Sequence, residues 1–299
     1  MSAADKIRHK FQTASVVEKL IGINVLVFIL FYVFKTIAFL FQLPSDFLLE
    51  WLVFPKEPGE YIFKPWSIIT YSFMHSGIWH ILANMLILFY AGSYFLSYFS
   101  AKKLLTFYFL GVIVGAMVYM LSYNLFPAFQ ATGRSYLLGA SAGVMAVLVG
   151  IATRIPHMGI RLLILGSVKF WYIAAFLVIL DVVQIPFGNA GGHFAHLGGA
   201  LFGYFYSSQL AKGNDIASGF EKAVIWFLAL FEGSKKSKPI MRTVYKKTGH
   251  TASKASSSKI SKTEKQEKID SILDKISKSG YESLTKQEKD FLFNAGKDT

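Results

Sequence analysis

The sequence predicts an all-α membrane protein: a bundle of six spanning helices with both termini in the cytoplasm, and a cytoplasmic tail ending in a small helical hairpin. Three observations lead there. Hydrophobic residues make up 53% of the 299 and charged residues only 16%, against roughly 25% charged in soluble domains; mean hydropathy is +0.43. Apolar runs recur at lengths near the roughly 20 residues that a spanning helix needs. Lysine and arginine gather at alternate loops, as orientation in a membrane demands.

The N-terminal stretch MSAADKIRHKFQTASVVEKL has mixed charge and no small-residue cleavage site, and reads as an uncleaved cytoplasmic lead-in. The first span is expected at about Leu20 to Phe41, interrupted by Lys35. After it, Asp46, Glu50 and Trp51 beside Leu48, Leu49 and Leu52 suggest a short interfacial helix. The second span is expected from about Ile68 to Phe99 and the third from Leu104 to about Leu125. A loop with Gly133 and Arg134 precedes a short fourth span, about Leu138 to Ala152. Arg154, Arg161 and Lys169 bracket the apolar run LLILGSV, which is expected to lie at the interface. The fifth span runs from Trp171 to about Ile185 and the sixth from about His193 to Leu210.

Three regions follow: a membrane domain at 1–212, an interfacial segment with a basic flexible linker at 213–263, and a hairpin at 264–299. In the hairpin, Ile269, Ile272, Leu273 and Ile276 keep helical spacing, Gly280 stops the helix, and Thr285 with Glu288 forms a capping box. Its apolar face calls for a protein partner or a regulatory docking site. The net charge of +13 is concentrated after residue 233, in Lys235, Lys236, Lys238, Arg242, Lys246 and Lys247. Without a recognisable nucleic-acid motif, that charge points to membrane lipids and not to nucleic acid. The absence of cysteine removes disulfides, thiolate catalysis and cysteine-ligated metals.

Polar residues inside spans are costly and mark function. His80 and Asn84, four apart, share a helix face, while His75, five before His80, points elsewhere by about 140° on helical geometry. Glycines 199 and 203 allow a second backbone to approach the sixth span closely, and Gly139 and Gly143 suggest the fourth as that neighbour. Such a crossing brings Ser141 near His196, each within about one turn of its helix end. A hydroxyl beside an imidazole has the parts of an activated nucleophile. His80, Asn84 and the free N–H groups near Ser141 are suitable donors for an oxyanion. No carboxylate partner for the histidine is evident; Asp181 reads more simply as a polar link to a neighbouring helix than as a third catalytic member.

The ordered set LIGINVLVF, PWSIITYSFMHSGIWHILANM, LLGASAGVM and AHLGGALFG resembles the rhomboid intramembrane serine proteases over about residues 15–210. The resemblance implies a six-helix core and a Ser–His dyad that cleaves transmembrane protein substrates, with no cofactor and no metal. It implies that Ser141 is the nucleophile, His196 the general base, and His80 and Asn84 the oxyanion-stabilising pair; His193 receives no role. Three positions depart from the family's habit: Ser67 follows Trp66 in place of arginine, Ala142 follows the serine in place of glycine, and Met145 stands where an aromatic often supports the histidine. The expected location is a multi-pass protein of a bacterial cytoplasmic membrane. Two alternatives compete: an inactive rhomboid-like protein that escorts membrane clients, and a metal site of His75, His80, His193 and His196. The second lacks the i, i+4 histidine pair and adjacent glutamate of a helical zinc motif.

Overall fold

A computed structural model describes residues 3–44, 46–162, 166–231 and 262–295. The chain is mostly helical and falls into two units, Met1–Lys235 and Lys236–Thr299. In the first, α1 (Ala3–Thr13) precedes α2 (Val16–Leu40), and three short helices fill the first loop: α3 (Asp46–Leu52), α4 (Pro58–Phe63) and α5 (Ser67–Thr70). Then come α6 (Ile78–Leu96), α7 (Ala101–Leu125), α8 (Ser141–Arg154), α9 (Phe170–Gln184), α10 (Ala190–Ala211) and α11 (Ser218–Phe231). The second unit contains α12 (Lys262–Ser279) and α13 (Lys286–Ala295).

Among the described residues, four helices are long and apolar enough to cross a membrane: α2, α6, α7, and α9 with the turn that extends it to Phe187. The protein is an integral, multi-pass membrane protein. Leu26, Leu30 and Phe39 on α2, and Phe176 and Ile179 on α9, leave large apolar side chains on the outside of the bundle, where lipid is their natural solvent. In contrast, α8 is only 14 residues long and buried along most of its length. An apolar helix with no polar face belongs at the centre of a bundle.

Small residues let α7, α8 and α10 meet backbone to backbone. A Cβ on Gly199 would lie 2.0 Å from the Ala142 carbonyl oxygen, and one on Gly203 2.3 Å from that of Ala146. The expected close crossing of the fourth and sixth spans is present, but the α8 residues that make it are Ala142 and Ala146. Gly143 instead faces Tyr108 on α7, and Gly139 faces His80.

One boundary differs from expectation. The apolar run from Ile68 to Phe99 is not one helix: α5 and a single turn at Tyr71–Phe73 come first, and α6 starts at Ile78 after the extended Gly77. The described ends of the run LLILGSV lie in an antiparallel strand pair, β3 (Gly159–Leu162) against β4 (Gly166–Lys169), preceded in the chain by a two-residue pair, β1 (Phe54–Pro55) with β2 (Tyr136–Leu137). Of the interfacial segment and basic linker expected at 213–263, residues 232–261 lie outside the described residues. The tail hairpin has the expected signals: Gly280 adopts φ +77°. The Glu288 N–H donates to Thr285 Oγ1 at 3.3 Å, while the Thr285 N–H donates to Glu288 Oε2 at 2.8 Å.

Candidate active site

The loop before α8 sets the height of Ser141. β1 holds β2 in antiparallel register, Phe54 opposite Leu137, and the Gly139 N–H donates to the Tyr71 carbonyl at 3.0 Å. The first loop is itself braced. Trp66 stacks on Trp51 with ring centres 5.7 Å apart, and its indole N–H donates to the Trp51 carbonyl at 2.8 Å. Ser67, the residue that departs from the family's arginine, is fully buried beneath it. Gly139 adopts φ +118°, a left-handed conformation that an L side chain rarely takes. A Cβ there would also strike His80, 2.7 Å from Cε1. Gly139 therefore turns the chain into α8 and lets the His80 ring lie against that turn.

Ser141 opens α8, whose first backbone bond runs from the Val144 N–H to the Ala140 carbonyl. The N–H groups of Ser141, Ala142 and Gly143 precede that bond and are left over by the helix, with the positive end of its dipole beside the hydroxyl. Ser141 Oγ stands 2.7 Å from His196 Nε2 on α10. On the other side of that ring, His196 Nδ1 is 2.7 Å from Asp181 Oδ1 on α9. The same carboxylate oxygen lies 2.8 Å from His193 Nδ1. Asp181 and His193 were not assigned to the site from the sequence. Both residues stand out in the sequence as polar groups in spans, but their pairing depends on how α9 packs against α10.

His80 and Asn84 complete the ring. The Ser76 backbone N–H and hydroxyl lie 3.4 and 3.0 Å from His80 Nδ1. A backbone N–H can only donate, so Nδ1 accepts and the proton resides on Nε2, on the edge that lies against Gly139. The Asn84 amide donates one N–H to the His80 carbonyl at 2.9 Å and keeps a second donor. A cavity of about 260 Å³ is lined by His80, Asn84, Ser141, Met145, Asp181 and His196, among others. A second, of about 380 Å³, reaches His80, Ser141 and His196 past Tyr136 and Asn189. Ser141 thus faces two hollows.

His75 does not point away as a continuous helix would require. The break before α6 brings its ring to 5.1 Å from that of His80, edge to face. The four-histidine alternative is not gathered into one cluster. Among the described residues, the ligand-capable group is Asp181, His193 and His196, with donor atoms within 4.8 Å of one another. Direct hydrogen bonds already account for that closeness.

With this geometry in view, comparison with known proteins is direct. A rhomboid-domain profile matches residues 63–213, just over half of the chain, and the profile of a family of unknown function (DUF6576) matches residues 259–294. The presenilin-associated rhomboid-like protein A, mitochondrial, of Danio rerio is 33% identical over 142 residues, 46% of this chain and 36% of that protein. RHOMBOID-like protein 12, mitochondrial, of Arabidopsis thaliana is 27% identical over 157 residues, covering 49% and 47%. Rhomboid protein 1, mitochondrial, of Saccharomyces cerevisiae is 28% identical over 208 residues, covering 68% and 55%. The chain thus spans between about a third and just over half the length of these relatives. Their names are mitochondrial, so the expected bacterial cytoplasmic membrane finds no support in them. The profile match over the segment that builds the Ser141 cluster establishes the conclusion: this chain belongs to the rhomboid family.

Proposed function

We propose that the protein is an intramembrane serine endopeptidase that cuts transmembrane segments of other membrane proteins. The observation that carries the reading is the 2.7 Å contact between Ser141 Oγ and His196 Nε2 at the edge of a cavity. In this mechanism the Ser141 proton passes to His196 Nε2 as Oγ forms a bond to the scissile carbonyl carbon. The C=O π electrons move onto the carbonyl oxygen, giving a tetrahedral oxyanion. Collapse breaks the C–N bond, and His196 returns its proton to the leaving nitrogen. Water then attacks the acyl-enzyme by the same route and frees Ser141. His80 Nε2–H, the second Asn84 N–H and the N–H groups at the start of α8 are the donors that meet the developing oxyanion.

A hydrogen-bonded substrate helix shields its amides, so the substrate has to unwind near the cavity. The reaction as written needs no cofactor and no metal. Six spans with both termini on one side of the membrane accommodate the short α8 and the glycine-rich α10 alongside the four more apolar helices. The test is cleavage of a labelled transmembrane substrate in liposomes by the wild type and by Ser141→Ala. Product from the wild type alone supports the reading. Equal product from both discards Ser141 as nucleophile, and no product from either leaves the client-binding alternative in its place.

A further inference from the structure

We propose that Asp181 and His193 are positioning residues that hold His196 in the tautomer and orientation needed to take the Ser141 proton; the proposal rests on the protease reading above. The placement follows from the turn between α9 and α10. Gly188 at φ +128° and Asn189 at φ +49° reverse the chain, so that the last turn of α9 lies against the first turns of α10. His193 and His196 are three apart on α10 and share a face. Both rings therefore meet Asp181, whose side chain is only 9% exposed.

One oxygen, Oδ1, serves both imidazoles, at 2.8 Å to His193 Nδ1 and 2.7 Å to His196 Nδ1. A carboxylate offers acceptors only, so each Nδ1 supplies the proton. That choice settles the chemistry at the far side of the ring. With the His196 proton on Nδ1, the Nε2 lone pair is left facing Ser141 Oγ, ready to accept. When the Ser141 proton arrives there, the new imidazolium stands against the Asp181 carboxylate, and their attraction is strengthened by burial. Asp181 takes no proton at any step. The His193 ring stands edge-on to that of His196, centres 5.9 Å apart, and its N–H pins the carboxylate that His196 depends on. With Met145 in place of an aromatic near the base, this pair of polar contacts supplies the orientation.

A purely structural link between α9 and α10 and a positioning role part company in the kinetics. The test uses the full-length protein in liposomes, measuring kcat and KM on a labelled transmembrane substrate, the rate at which a fluorophosphonate modifies Ser141, and the thermal midpoint. Asp181→Asn keeps the size of the side chain but offers the ring the wrong hydrogen-bonding partner. The expected result is a fall in kcat of at least ~100-fold with KM held within ~3-fold, and a parallel fall in fluorophosphonate reactivity. Asp181→Glu is expected to recover part of the loss, and His193→Gln to lower kcat by about 10-fold. Asp181→Asn with kcat and labelling within ~3-fold of wild type overturns the proposal, as does a loss confined to KM or to the thermal midpoint. Should Asp181→Asn not fold, His193→Gln decides by the same criteria: folded protein with undiminished turnover and labelling overturns it. Wild-type protein that reacts with the fluorophosphonate at Ser141 yet cuts no peptide sinks the protease reading alone, and the labelling rates then decide the role of Asp181.

Discussion

Two polar clusters sit at opposite ends of α10, separated by ten residues from His196 to Tyr206, or about 15 Å of helix. At the Tyr206 end, Lys103 Nζ donates to the Tyr206 hydroxyl at 3.0 Å, to Glu221 Oε1 at 2.8 Å and to Asp215. Lys102 pairs with Glu221 as well, at 2.8 Å, and Thr106 adds a hydroxyl. Two cations meet two acids there, and α11 is tied to the bundle through the buried Glu221. At the His196 end a single acid serves two imidazoles, and the chain of hydrogen bonds finishes at a hydroxyl that opens onto cavities. A polar cluster whose members are paired with one another holds helices together. In the proposed mechanism, one whose last member faces open space passes a proton between the hydroxyl and its base.

This contrast can be broken experimentally. The largest effect is expected from His196→Ala, which should lower turnover by at least ~1,000-fold without unfolding the bundle, because the nucleophile loses its base; single-turnover cleavage in liposomes measures it. Next, His80→Ala and Asn84→Ala should each reduce kcat by about 10- to 1,000-fold with little change in KM, as donors that act on the oxyanion do. Steady-state kinetics on the same substrate makes that split visible. Gly199→Val tests the scaffold between the clusters. Its Cβ meets the Ala142 carbonyl oxygen at 2.0 Å, so overpacking should cost about 1–3 kcal/mol or more, read as a lower thermal midpoint and less folded protein.

The smallest effect on turnover belongs to the Lys103 end. Glu221→Gln should lower the thermal midpoint while cleavage stays within ~3-fold of wild type. The pH dependence there has a definite sign. Lys103 beside Asp215 holds that carboxyl below its ordinary 3.8. Burial would raise Glu221, but Lys102, Lys103 and Thr106 outweigh it and bring it below 4.5. Each group gives its stabilisation above its unfolded value and loses it as pH falls through its folded one. Thermal stability should therefore be level above about pH 5 and decline in acid below pH 4.5 and 3.8. In Glu221→Gln that acid decline should be shallower. In the tail, Glu288 is lowered to about 2 by Lys275 and Thr285, so the hairpin's share should fade between pH 4.5 and about 2.

Much of this arrangement was legible in the residues. Gly199 and Gly203 announced a close helix crossing, and the crossing brings Ser141 to His196. The glycine partners on α8 were misjudged, because alanine is small enough for the same approach and periodicity does not reveal which side faces which neighbour. The continuous apolar character from Ile68 to Phe99 hid the break at Met74–Gly77, so the placement of His75 beside His80 was missed. Asp181 was noticed as an ionisable group in a span but not paired. Its partners depend on the rotation of α9 about its own axis, which leaves no local signature. Thr285, Glu288 and Gly280 were the opposite case, since caps and helix stops are local chemistry.

The most direct measurement is the site and rate of fluorophosphonate modification, mapped by mass spectrometry in wild type and in His196→Ala. The contact between Ser141 and His196 predicts one adduct, on Ser141, formed in the wild type and suppressed by at least ~100-fold when the imidazole is removed. An adduct on another residue, or His196→Ala protein that reacts as fast as wild type, would contradict the account.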